Sequence, residues 1–300
     1  MLRWLIPALL TLYAGCPYPV GSPAIPRSEA QIAARVPLVT SLPSAFPFGV
    51  ASGDPLPDAV ILWTMLDTAA WRSDSMVYWA VATDRSFQDT IISGQTIARR
   101  GRGCRVKVDA TGLIPDRSYF YRFRRGEEYS EVGRTRTAPA RGTKPTVNLA
   151  VVSCNALEWG YFNAYEALAE RADLQAIVHL GDYIYEYASG VYGDTTLGRI
   201  HEPYHETVTA ADYHARYAQY RRDPQLRAAH RVHPFICVWD DHEVANNSHR
   251  TGAENHTDTL EGDYLKRLTA AKQIYYDWMP IREQADGAIY RRFRFGDLAE

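Results

Sequence analysis

Three short apolar runs in the second half of this chain each end abruptly in polar residues with metal-binding groups. That repeated pattern constrains the fold more than any other feature. Residues 147–152 run into Ser153-Cys154-Asn155, residues 176–180 into Gly181-Asp182-Tyr183-Ile184-Tyr185, and residues 235–239 into Asp240-Asp241-His242-Glu243. Between and after them, residues 160–174, 210–229 and 260–278 carry helical periodicity, the last stopped by Pro280. Strands alternating with helices imply a layered α/β unit, and continuous apolar runs are typical of strands buried on both faces. In such sheets the loops past the carboxyl ends of the strands form the binding crevice. Three loops rich in ligand-type residues are therefore expected to meet at one place.

The first half reads differently. Residues 59–63 and 76–81 are apolar runs, residues 104–108 alternate with period two, and residues 118–123 are rich in strand-forming aromatics. Gly53-Asp54-Pro55, Gly112, Pro115-Asp116 and Gly126 supply turns between them. Short strands at this spacing predict a small β-sandwich over residues 45–137, a linker over 138–145, and a second unit over 147–300. A chain of 300 residues has room for both. With 46% hydrophobic and 23% charged residues the composition is that of a protein with a real core, and a net charge of −2 gives no reason to expect a nucleic-acid partner. The short basic clusters Arg99-Arg100-Gly101-Arg102 and Arg291-Arg292 read as solvated faces.

Residues 1–16 resemble an export signal: Arg3 supplies positive charge, and residues 5–13 form an apolar run too short to span a bilayer comfortably. The run ends in Ala14-Gly15-Cys16, similar to a lipobox in which the cysteine is lipidated, although Tyr13 stands where leucine is usual. Three readings stand: a lipid on Cys16 that attaches the chain to a membrane, a plain cleaved signal, or a buried N-terminal segment. Residues 17–44 then form a tether, rich in Pro, Gly and Ser at its start. The location expected is outside the cytoplasm, in the periplasm or at the cell surface. Of the four cysteines, Cys237 reads as a buried thiol, Cys104 as half-exposed and Cys154 as a ligand.

The residue types at the three strand ends suit metal. A carboxylate such as Asp182 can bridge two cations, and a thiolate with a phenolate and a carboxylate favours a hard, highly charged ion. Singly, each has an ordinary explanation: an Asp after a strand as a turn or cap, a Cys as a buried thiol, a Tyr as packing. The conjunction is what carries weight. Gly181-Asp182-Tyr183-Ile184-Tyr185-Glu186-Tyr187, then Trp239-Asp240-Asp241-His242-Glu243-Val244 with Asn246-Asn247, resembles the alkaline phosphatase D (PhoD-like) family. Phe46-Pro47-Phe48-Gly49-Val50-Ala51-Ser52-Gly53-Asp54-Pro55 resembles that family's N-terminal domain, and Val152-Ser153-Cys154-Asn155 the start of its catalytic domain.

The resemblance implies a layered calcineurin-like metallophosphoesterase core, incomplete here, behind an all-β immunoglobulin- or fibronectin-like sandwich. It implies an exported phosphoric ester hydrolase, an alkaline phosphatase or phosphodiesterase, acting on a phosphate ester through a metal-activated hydroxide. It also implies ferric iron (Fe3+) and calcium (Ca2+). Carried over by position, Cys154, Asp182 and Tyr185 would bind iron, and Asp182 would bridge to calcium. Asn246 is the main calcium candidate, Asp241 the alternative, and His242 would sit near the leaving oxygen, a structural role being its ordinary reading. His179 reads as a core histidine. His201, His205 and His214 fall in or near a Tyr-rich insertion at about residues 188–214, either a cover for the site or plain surface loop.

Two departures qualify the resemblance. Only Arg3 stands where the family commonly carries a twin-arginine signal, and a further acidic metal-binding loop with a Gly-Asp-x-His segment, expected from the family, is not in these residues. Two readings follow: a piece of a longer active enzyme, or a non-catalytic paralogue serving as a surface binding or structural protein.

Overall fold

A computed structural model describes residues 41–67 and 73–300. The export signal, Cys16 and most of the tether lie outside the described residues, and among the described residues no helix is long and apolar enough to cross a membrane.

Among the described residues, eleven strands and five α-helices follow in chain order. The first region holds β1 (Val50–Gly53), β2 (Ala59–Met65), β3 (Ser75–Ala82), β4 (Thr90–Ala98), β5 (Arg105–Thr111), β6 (Ser118–Arg125), β7 (Glu128–Tyr129) and β8 (Gly133–Arg136). The second holds β9 (Leu149–Val152), α1 (Asn163–Ala169), β10 (Ala176–His179), α2 (Ala210–Arg222), α3 (Pro224–Val232), β11 (Pro234–Cys237), α4 (Asp258–Glu261) and α5 (Tyr264–Trp278). One sheet has the order β4-β3-β6-β7, with β8 also on β6, and is antiparallel throughout. The other has the order β5-β2-β1-β11-β10-β9.

The second sheet crosses the expected boundary between the regions. β5, β2 and β1 pair antiparallel, but β1 then pairs parallel with β11 through Ser52↔Pro234 and Gly53↔Phe235, and β10 and β9 continue in parallel. The β1–β2–β5 trio therefore has two covered faces. Val50, Val60, Leu62, Val106 and Ala110 pack against Val77, Val81, Tyr121 and Phe123 of the first sheet. Ala51, Trp63 and Met65 face the helices, with Tyr217, Ile274 and Trp278. Every residue of β2 is buried as a result, which is why its sequence is apolar without alternation. The junction is locked by Asp54: its carboxylate accepts from the Arg282 backbone N–H at 2.6 Å and pairs with Arg291 Nε at 2.8 Å, while Arg291 also donates to the Cys237 carbonyl at 2.6 Å.

Several expectations about the elements change. The helical stretch at 210–229 is two helices, because Pro224 cannot continue α2. Asp223 instead caps α3, accepting from Gln225 and Leu226 N–H at 2.9 and 3.0 Å. The helix at 260–278 is likewise broken, by Gly262 at φ 85°. The helix at 160–174 shrinks to the seven residues of α1. Strand β4 was not read from the sequence at all. The 138–145 linker is tied down: Pro139 and Thr143 carbonyls accept from Gly296 and Asp297 N–H. Cys104, expected half-exposed, is fully buried in the core between the sheets.

Candidate metal centre

The three loops that follow β9, β10 and β11 do meet. Cys154 N–H donates to the Gly181 carbonyl at 3.2 Å and Asn155 N–H to the Asp182 carbonyl at 2.8 Å, knitting the first loop to the second. The second and third are joined by Glu243, fully buried, whose carboxylate accepts from Asp182 N–H (3.1 Å), Tyr183 N–H (2.6 Å) and Asp240 N–H (2.8 Å). Burial pushes the Glu243 carboxyl up to about 8, against the three N–H donors that favour its ionised form. Gly181 sits at φ 107°, and a Cβ there would lie 2.3 Å from Asp240 N, so the approach of these two loops requires glycine.

Within this frame the predicted iron ligands converge on one carboxylate oxygen. Cys154 Sγ lies 3.5 Å from Asp182 Oδ2, and the Tyr185 hydroxyl donates to the same oxygen at 3.2 Å. Cys154 and Asp182 both adopt left-handed backbone, φ 61° and 54°. Non-glycine residues rarely sit there, and such strain gathers at functional sites. Asp182 Oδ1 is buried with no hydrogen-bond partner, an arrangement that costs free energy unless something outside the chain engages it. Burial raises the Asp182 carboxyl above its usual value, partly offset by His242. Burial, then the Asp182 charge, pushes the Tyr185 phenol far up.

Ligand-type atoms of Asp182, Asp241 and His242 all lie within 4.8 Å of one another, a group that could hold a metal ion. His242 stacks near Tyr185, with centroids 4.3 Å apart, and its Nδ1 is 2.8 Å from Glu186 Oε2. Burial opposes the imidazolium, but the Glu186 hydrogen bond and the charges of Glu186, Asp182 and Asp241 outweigh it and raise the His242 pKa. Asn246 is on the same loop. Its backbone N–H donates to Glu186 at 2.6 Å and its side-chain amide to Glu254 at 3.1 Å.

Sequence reasoning missed the acidic scaffold behind His242. Glu186 is fully buried and also accepts from Asn255 Nδ2 at 2.8 Å; Asn255 continues to Glu206, which is held by Arg267 at 2.7 Å. The available signal was a carboxylate directly after Tyr185 in an otherwise apolar and aromatic stretch. The weaker histidines have other partners. His179 is buried with Nδ1 accepting from Gly181 N–H, His201 lies beside buried Glu158, His205 pairs with Asp212, and His214 contacts Trp278. The 188–214 insertion does reach the site through Tyr192, stacked on Tyr185 with ring planes 18° apart. Arg216 of α2 anchors it, donating to the carbonyls of Tyr187, Glu202, Pro203 and His205.

Comparison with known proteins places the chain in a family. A family model described as PhoD-like phosphatase matches residues 149–300, and one described as PhoD-like phosphatase, N-terminal domain, matches residues 33–139. Alkaline phosphatase D of Bacillus subtilis (strain 168) is 42% identical over 272 residues, which is 85% of this chain and 46% of that protein. A solved structure described as "Structure of PhoD" superposes with a TM-score of 0.78 at 38% identity, over 85% of this chain and 51% of that one. The chain thus spans about half the length of the relatives it matches.

Proposed function

Since this chain belongs to the PhoD-like phosphatase family, we propose that it is the metal-binding part of a phosphoric ester hydrolase with its site at Asp182. The observation that carries the reading is the unpartnered, buried Asp182 Oδ1, beside an oxygen on which Cys154 and Tyr185 already converge. A thiolate, a phenolate and a carboxylate suit ferric iron. Cys154, Asp182 and Tyr185 would hold it, with Asp182 shared with a calcium ion near Asp241 and Asn246. When bound, such cations neutralise phosphate oxygens and acidify water. The chain's own residues do the rest. His242, whose pKa is raised by its pairing with Glu186, is a proton donor of the right kind for a leaving alkoxide. Glu243 fixes the relative position of the two loops, and the Glu186 network fixes the ring of His242.

The finer fold reading belongs to the same proposal. The first region, 45–137, is an immunoglobulin-like sandwich sharing its sheet with a calcineurin-like core at 147–300. Export by way of residues 1–16, with or without a lipid on Cys16, follows from the sequence reading of that segment.

Hydrolysis of a nitrophenyl phosphate ester by the purified, iron- and calcium-supplied chain tests the reading. Turnover should fall by about a hundredfold or more in Asp182→Asn. Turnover unchanged in that variant removes Asp182 from the chemistry. Failure of the chain to take up either metal would overturn its metal-binding role.

A further inference from the structure

The antiparallel sheet of the first region carries a built pocket on its outer face that shares no residue with the metal-type loops. Four strands contribute one aligned row, Gln95–Tyr78–Arg124–Tyr129, and the next row on the same face is Ser93–Ala80–Arg122. Ala80 is the small residue between larger neighbours, and with Trp79 it lines a cavity of about 400 Å³ walled by Tyr78, Tyr129, Arg122 and Arg124.

The two guanidinium groups are held by aromatic rings and not by carboxylates. Arg122 lies 4.0 Å from the Phe87 ring centroid and 4.4 Å from that of Tyr129. Arg124 lies 4.5 Å from the Tyr78 ring and donates to the Gly126 carbonyl at 2.6 Å. Among the described residues neither is in an ion pair, whereas arginines such as Arg136, Arg171 and Arg282 are paired with aspartates. A guanidinium fixed between rings keeps its N–H edge available and has lost its rotamer freedom already, which suits it to bidentate capture of an anion. The pocket also offers hydroxyl and amide partners in Ser93 and Gln95 and flat ring surfaces, the combination that takes a sugar ring. Two cations on a chain of net charge −2 do not suit a long nucleic acid.

We propose that this pocket is a second binding site, for an acidic carbohydrate whose carboxylate or phosphate sits on Arg122 and Arg124. It does not depend on the catalytic reading. The test is calorimetric titration of the purified 300-residue chain with four probes: trigalacturonic acid, glucose 6-phosphate, maltotriose and adenosine monophosphate. At least one of the two acidic sugars should bind saturably, the tighter naming the anion. Arg122→Gln and Arg124→Gln should each weaken that binding by about tenfold. Asp182→Asn should leave it unchanged. Should the arginine variants fold poorly, raising the salt from about 0.05 to about 0.5 M must weaken binding to the unaltered protein. The proposal is overturned if neither acidic sugar binds, if maltotriose or the nucleotide binds as tightly, if Asp182→Asn abolishes binding, or if salt has no effect.

Discussion

β2 and β9 lie in the same six-stranded sheet and are both apolar, yet they live in opposite surroundings. All seven residues of β2 are buried, because one face meets the antiparallel sheet and the other meets the helices. β9 alternates: Ala150 and Val152 pack on the helix side, while Leu149 and Val151 remain 36% and 62% exposed. The same chemistry in sequence therefore contributes very different amounts to stability, since only area removed from water counts. β2 is the structural centre. β9 and its neighbours serve to hold three loops.

The largest difference should come from truncation. Trp63 is fully buried, donates to the Asp277 carbonyl at 2.8 Å and lies under Arg221, 4.4 Å from its ring. Trp63→Ala should destabilise by about 3–5 kcal/mol in denaturant unfolding. A loss below about 1 kcal/mol would mean that β2 is not the centre described.

Acid should then separate the two regions. His179, at the end of β10, and His233, just before β11, are buried in the second region, and burial lowers both to about 3. These histidines are neutral when folded, and on unfolding they take up protons below about 6.5. Their stabilising contribution is thus whole above pH 6.5 and shrinks as pH falls toward 3. Between pH 6.5 and 5 each should cost about 2 kcal/mol. Unfolding free energies across that range check the slope, and hydrogen exchange should show β10 loosening before β2. Glu243, pushed up to about 8, acts in the opposite sense over this range and offsets about one histidine, so the slope is read in Glu243→Gln, where a flat profile would contradict the neutral state of these rings.

Gly181→Ala should have a smaller effect on stability, about 1–3 kcal/mol, because its Cβ collides with Asp240 N at φ 107°. Metal affinity should drop more than stability does, as the loops move apart. The smallest change should be Val151→Ser, within about 0.5 kcal/mol by the same denaturant measurement. A cost as large as that of Trp63→Ala would erase the contrast between the strands.

Much of the site was legible because it follows the chain locally. Cys154, Asp182, Tyr185 and the Asp240–Glu243 run each stand directly after an apolar strand, and parallel pairing of β9, β10 and β11 brings them together. What could not be read depends on distant partners. The β1–β11 pairing joins residues about 180 apart, and only register reveals it. β4 hides behind exposed residues and the central Gly94, which reads as a breaker until Trp79 is seen lying against it. Glu186 and Glu243 looked like members of a motif. Their work is to hold His242 and the backbone of two loops, which no spacing rule announces. Pro224, by contrast, was a plain helix-break signal inside a stretch that its periodicity made continuous.

The account rests on Asp182, Cys154 and Tyr185 acting as one ligand group. Titrating ferric iron into the purified protein while recording visible absorbance tests this directly, because a phenolate on ferric iron gives a charge-transfer band. The unaltered chain should develop the band and release protons as it binds, Tyr185→Phe should bind without the band, and Asp182→Asn should bind weakly. No band in the unaltered chain, or the same band in Tyr185→Phe, would contradict the account.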